Sequence, residues 1–207
     1  MESSKKRDGA DWHDLQPLIE VEFDAIAERY AEPHRAYHNL RHISAMFDLL
    51  AERPFTVERP ALLTLAIWYH DAVYDPRASN NEEASAALFS EFADRNSLPR
   101  ETVEWVCALI VATKHHSPDT NDQSVLVDLD IAILGASAAE FDAYDSAIRR
   151  EYSHVPDVAY RDGRIRVLRS FLDRPQIFNT SVMQSFEQPA RANIARATER
   201  LSLGRDI

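Results

Sequence analysis

Imidazoles and carboxylates fall at three places in this chain where the surrounding pattern is apolar. The first is Tyr37-His38-Asn39-Leu40-Arg41-His42, in which His38 and His42 are four residues apart and share one side of any helix running through them. Asn39 stands where the H-E-x-x-H zinc-protease signature needs its glutamate base, so that chemistry is excluded. The second is Leu65-Ala66-Ile67-Trp68-Tyr69-His70-Asp71, an apolar helix that delivers an adjacent imidazole and carboxylate at its end. The third is Asp128 and Asp130 inside the run VLVDLDIAIL. A buried, unpaired carboxylate is costly, and a divalent cation compensates it well. Mixed imidazole and carboxylate donors suit first-row divalent metals. Each feature alone has a plainer reading, a satisfied core histidine or a turn aspartate. The ordered set of His, His-Asp and Asp is what points to a metal site.

The elements that must hold these groups read as helices. Only four glycines occur, and apolar residues recur at three and four spacing. The pattern predicts helices from about Trp12 to Tyr30, Asn39 to Ala51, Ala61 to Val73, Asn81 to Asn96 and Arg100 to His115. The helix at Ala61 is nearly all apolar and is expected at the centre of the molecule. The alternation in VLVDLDIAILG also fits a strand, but a lone strand would leave its backbone unpaired. A short buried helix ending at Gly135 is therefore expected. Ser137 caps a helix to about Ser153, Pro156 or Asp157 opens one reaching about Leu172, and a last helix follows Pro189. The expected fold class is an all-α, single-domain helical bundle over 11–207, with residues 1–10 frayed.

Lys+Arg is 23 and Asp+Glu is 34, a net charge of −11. That balance argues against a nucleic-acid polymer or an anionic membrane as partner. The single cysteine, Cys107, excludes an internal disulfide framework. No apolar run reaches the ~18 residues of a membrane span, and MESSKKRDGAD does not read as a secretory leader. A cytoplasmic protein is the expectation. The glycines are too dispersed for a dinucleotide or phosphate-binding loop, and G-x-S-x-G is absent.

The order His42, His70-Asp71, Asp130 resembles the H…HD…D pattern of the HD superfamily of metal-dependent phosphohydrolases. The segments RAYHNLRHI, WYHDAVYDP with NEEASA after it, ATKHH, DLDIAILG, and IRREY followed by GRIRVLRSFLDRPQIF resemble an uncharacterised bacterial branch of predicted HD phosphohydrolases. They run from about Arg35 to Phe178. The resemblance implies an HD-type helical bundle binding one divalent cation (Mn, Mg, Co, Ni, Zn or Fe) through His42, His70, Asp71 and Asp130. His38 is the competing choice for the first ligand. Asp128 is then expected to orient a ligand or water, and His115 and His116 are candidates for a further metal or phosphate contact.

The implied activity is hydrolysis of a small phosphorylated metabolite or nucleotide by water activated at the metal, with Asp71 between cation and water. Glu82 or Glu83 is the candidate general acid. Arg35 and Arg149 are the first candidates for phosphate recognition, because the guanidinium fork matches phosphate oxygens. Arg150 stands beside Arg149 as a candidate, Lys114 and Arg164 come after them, and for Arg150 and Arg164 a solvated helix face is the favoured reading. A non-catalytic metal or nucleotide-binding HD protein and a di-iron oxygenase on the same scaffold are the competing functions.

Overall fold

The computed structural model describes residue 22 and residues 24–204, and among them every regular element is a helix. A helical segment over 24–30 precedes a loop at 31–39. Then come α1 (Leu40–Glu52), α2 (Pro60–Tyr69), α3 (Asn81–Arg95), α4 (Arg100–Ala112) and α5 (Asn121–Asp130). A 3-10 turn (Ile131–Gly135) follows, then α6 (Ala138–Glu151) and α7 (Asp157–Leu172). A second 3-10 turn (Ser181–Met183) leads into α8 (Gln184–Ser202). The fold is all-α, as the sequence pattern predicts. The expected frayed segment and most of the expected helix from Trp12 lie outside the described residues.

Two hydrophobic clusters build the core. The first joins the 24–30 segment to α1–α5 through Ile26, Ile43, Leu63, Ile67, Phe89, Ile110 and Leu126. α2 lies at its centre, packed on α1, α3, α4 and α5. It is apolar all round because it is buried all round, and Pro60 sits at its first turn, where the missing N–H matters least. The second cluster gathers the first 3-10 turn, α6, α7 and α8 around Ile131, Phe141, Leu168, Ile177 and Ile194. α5 and the turn after it connect them: Leu129 belongs to the first cluster, Val127 and Ile131 to the second. α5 and α6 each open with a reciprocal capping box, Thr120 with Gln123 and Ser137 with Glu140.

Four expectations are corrected. α2 ends at Tyr69 rather than Val73, because side chains take over its backbone partners: Val73 N–H donates to Ser85 Oγ at 3.0 Å. α4 ends at Ala112 rather than His115. α8 starts at Gln184, so Pro189 lies inside it instead of opening it. Its first turn is pinned from within, since the buried Glu187 carboxylate accepts the N–H groups of Ile177 and Phe178 at 3.0–3.2 Å. Finally, His38 lies outside the helix carrying His42. Asn39 is the α1 N-cap, its Oδ1 accepting Arg41 N–H at 2.9 Å. VLVDLDIAILG does form the expected buried helix, ending as the 3-10 turn at Gly135. A Cβ on Gly135 would fall 2.7 Å from the Phe186 carbonyl oxygen, so this close approach requires glycine.

Candidate metal centre

Three helix ends bring four side chains together. His42 is the third residue of α1, His70 caps the end of α2, Asp71 follows in the turn, and Asp130 is the last residue of α5. His42 and His70 are 5% and 1% exposed. Their Nε2 atoms lie 3.3 Å apart. Asp130 Oδ1 is 3.2 Å from His42 Nε2, and Asp71 Oδ2 is 3.1 Å from His70 Nε2. One donor atom from each residue falls within 4.8 Å of all the others. Donors about 2.0–2.2 Å from a shared ion have this spacing among themselves.

The chemistry of the donors fits a cation. His70 Nδ1 sits 2.8 Å from the Ile67 carbonyl oxygen, an acceptor only, so Nδ1 carries a hydrogen and Nε2 is the nitrogen that faces the cluster, with its lone pair there once the imidazole is neutral. Burial opposes the charge on His70, but the Asp71 and Asp130 carboxylates outweigh it and hold the imidazole well above its usual range. Burial likewise opposes ionisation of Asp71, and the His70 imidazolium overrides it and holds the carboxyl low. Asp130 is held well below the carboxylate range by His116, His42 and His70 against the same burial. A divalent cation held by these four residues would replace the shared protons with fixed charge and release them.

Long-range hydrogen bonds fix the backbone that carries the cluster. Arg35 Nη1 donates to the Asp71 carbonyl at 2.7 Å and to the His38 carbonyl at 3.1 Å, and Nη2 reaches the Ala72 carbonyl at 3.2 Å. Nε pairs with Glu32. Expected as a phosphate contact, Arg35 is instead buried and spent on tying the loop before α1 to the turn after α2. Arg149 is also engaged elsewhere: it holds the Tyr152 and Val155 carbonyls at the end of α6 and pairs with Asp157 at 2.6 Å. Asp128 faces away from the metal cluster. Its carboxylate accepts the N–H and side chain of both Asn179 and Thr180 at 2.7–2.9 Å, so it secures that loop rather than a ligand.

A cavity of about 720 Å³ opens in front of the two aspartates and is bordered by His38, Glu82, Lys114, His115, His116 and Arg164. His116 Nε2 is 3.5 Å from Asp130 Oδ2. It adopts a left-handed backbone (φ 49°), and its ring packs on Phe171. Arg174 holds the turn through the His115 and His116 carbonyls at 2.9 and 2.8 Å. Glu83 pairs with Lys114, while Glu82 borders the cavity. Arg150 is exposed. Arg164 corrects the expectation of a solvated face, being 8% exposed and part of the cavity wall.

Glu151 is the residue that sequence reasoning missed. Its Oε1 accepts the N–H groups of Ala36, Tyr37 and His38 at 2.7–3.0 Å, and Oε2 accepts from His38 Nδ1 at 2.7 Å and Tyr74 Oη at 2.8 Å. A sequence signal existed. An acid in the last turn of a helix opposes the macrodipole and needs compensation elsewhere.

No family model, curated protein or solved structure matches the chain.

Proposed function

We propose that the chain is a metal-dependent phosphohydrolase of the HD type, acting on a small phosphorylated metabolite or nucleotide. The observation that carries this reading is the His42, His70, Asp71, Asp130 cluster facing a cavity of metabolite size. A divalent cation held there supplies Lewis acidity toward a phosphoryl oxygen and makes water more acidic. Asp71 and Asp130 cancel its charge, so the substrate's charge falls to the cavity cations, Lys114 and Arg164.

His38 is the group we assign to leaving-group protonation, in place of Glu82 or Glu83. An ionised Glu151 only accepts, so His38 Nδ1 is the donor in that bond and Nε2 is left for the cavity. Burial opposes the imidazolium, but the Glu151 bond and the Asp71, Glu151 and Asp130 charges together outweigh it and raise His38 above its ordinary pKa, which favours a proton on Nε2. Tyr74 stacks on the ring at 4.2 Å and fixes its plane. Di-iron chemistry needs a second complete ligand set; His38 and His116 lie beside the cluster, but among the described residues only the one group of four is gathered at ligating distance.

The test is a panel of phosphomonoesters and nucleotides incubated with protein loaded with Mn, Mg, Co, Ni, Zn or Fe, beside Asp71→Asn and His38→Gln. Phosphate release by the wild type, lost with metal uptake in Asp71→Asn, is the expected result. His38→Gln is expected to keep its metal and lose turnover most for substrates with poor leaving groups. Turnover by metal-stripped protein or by Asp71→Asn at the wild-type rate overturns the reading.

A further inference from the structure

α7 forms part of the cavity wall through Tyr160, Gly163 and Arg164. Two polar atoms there, Tyr160 Oη and Arg164 Nη2, have no partner in the protein. Their residues are 6% and 8% exposed. Buried polar groups are almost always satisfied, so two adjacent orphan donors on one cavity wall mark a place for an acceptor the chain does not supply.

The charges point the same way. Arg164 Nε donates to Asp145 Oδ1, and Arg200 Nη2 donates to Asp145 Oδ2, both at 2.9 Å. Arg200 also reaches Asp142, which Arg196 holds at 2.9 Å. Three guanidiniums thus share two carboxylates, and one positive charge is left over. Arg166 borders the same cavity.

Gly163, between Tyr160 and Arg164, is a third observation. Glycine is a poor helix former in the middle of a 16-residue helix. Packing does not require it, since a Cβ would meet only Arg166 Nη2, at 3.9 Å. What its missing side chain leaves is open room on the cavity face of α7, in the turn that carries Tyr160 and Arg164.

We propose that this wall is an oxyanion subsite. The Tyr160 hydroxyl and the Arg164 guanidinium bind a compact phosphoryl or carboxylate group that the substrate carries away from its scissile phosphate. Assigning the oxyanion to the substrate rests on the phosphohydrolase reading; the subsite itself does not. The preferred substrate is then a phosphorylated metabolite with a second anionic group.

Full-length, metal-stripped protein titrated calorimetrically with inorganic phosphate, and in parallel with acetate, tests the subsite apart from the metal. Saturable binding is expected in the wild type and in Asp71→Asn. The stronger of the two probes identifies a phosphoryl or a carboxylate partner. Tyr160→Phe removes an atom that no protein group uses, so it should unfold no earlier than the wild type while binding roughly tenfold more weakly. Gly163→Leu should fold and bar the anion. No saturable binding by the metal-free wild type overturns the proposal, as does binding abolished by Asp71→Asn or untouched by both α7 substitutions. Failure of metal uptake with this binding pattern intact sinks the phosphohydrolase reading and leaves the subsite standing.

Discussion

Replacing Glu151 by Gln tests whether one buried carboxylate holds the histidine loop against α6. Five donors converge on it, three backbone N–H groups, His38 Nδ1 and Tyr74 Oη. Burial pushes the carboxyl up, and the His38 bond and charge with the backbone donors outweigh it, leaving it at about 2 against an ordinary 4.5. That difference favours the ionised form by about 3 kcal/mol. Glutamine keeps one acceptor oxygen but turns an NH2 toward groups that themselves donate. The tyrosine hydroxyl and the imidazole tautomer relieve part of the conflict, so we expect a loss of about 2–4 kcal/mol at pH 7. For a chain of this size that lowers Tm by roughly 5–15 °C.

The pH dependence gives the sharper readout. A carboxyl whose folded pKa is depressed contributes fully above its unfolded value and loses that contribution as pH falls through the folded value. Wild-type stability should therefore fall from pH 5 toward pH 2, and Glu151→Gln should lack about 3 kcal/mol of that fall. Urea titrations at pH 7, 5, 4, 3 and 2 measure both quantities. Metal uptake at pH 7 should survive, because the four cluster residues are untouched. Equal stability and an equal pH slope in variant and wild type would refute the anchoring argument, and loss of metal uptake in the folded variant would show that the cluster depends on the loop.

Two glycine-to-alanine changes should have opposite signs by thermal unfolding. Gly163→Ala meets open space and should stabilise by about 0.5–1 kcal/mol, whereas Gly135→Ala drives a methyl into Phe186 and should destabilise by about 1–3 kcal/mol. Asp128→Ala orphans four donors and should cost about 3 kcal/mol or more in urea titrations. The folded protein should still bind metal at the wild-type stoichiometry, which a direct role for Asp128 at the cation would not allow. A metal at a hundred times its Kd should stabilise the wild type by about 2.7 kcal/mol, and EDTA should reverse it. Asp130→Asn should show no such response.

The four-residue cluster was legible because each member breaks a local rule. His70 and Asp71 end a helix with no other polar residue after Thr64 except Tyr69, and Asp130 sits in a run of aliphatics. Such misfits can be seen within a few residues. The arrangements that sequence reading missed are made at long range. Arg35 reads as a free cation because its partners, the Asp71 and Ala72 carbonyls, lie 36 and 37 residues away and leave no side-chain signature. Asp128 and Asp130 look equivalent in the alternating pattern. They separate only when the loop at Asn179 and Thr180 closes on one of them. His38 and His42 carry the spacing of a helical pair, yet the Asn39 cap puts them in different backbone environments. Arg164 reads as lying on a wet face because a helix rich in arginine gives no sign of which one the packing encloses.

The division of labour between the two cores follows from where α5 ends. The imidazoles and the HD doublet come from helices of the first core, and Asp130 stands at its last step before Ile131 enters the second. The α6 and α7 walls of the cavity belong to the second core, with His116 leaning on Phe171 across the junction. Glu151, on α6, reaches back to the loop at Ala36–His38 and couples the two. On the proposed reading, a ligand between them would touch a cation-holding side built by one core and an anion-accepting side built by the other. Substitutions on α7 should therefore change what is recognised while leaving metal affinity alone, and substitutions at the ends of α1, α2 and α5 should do the reverse.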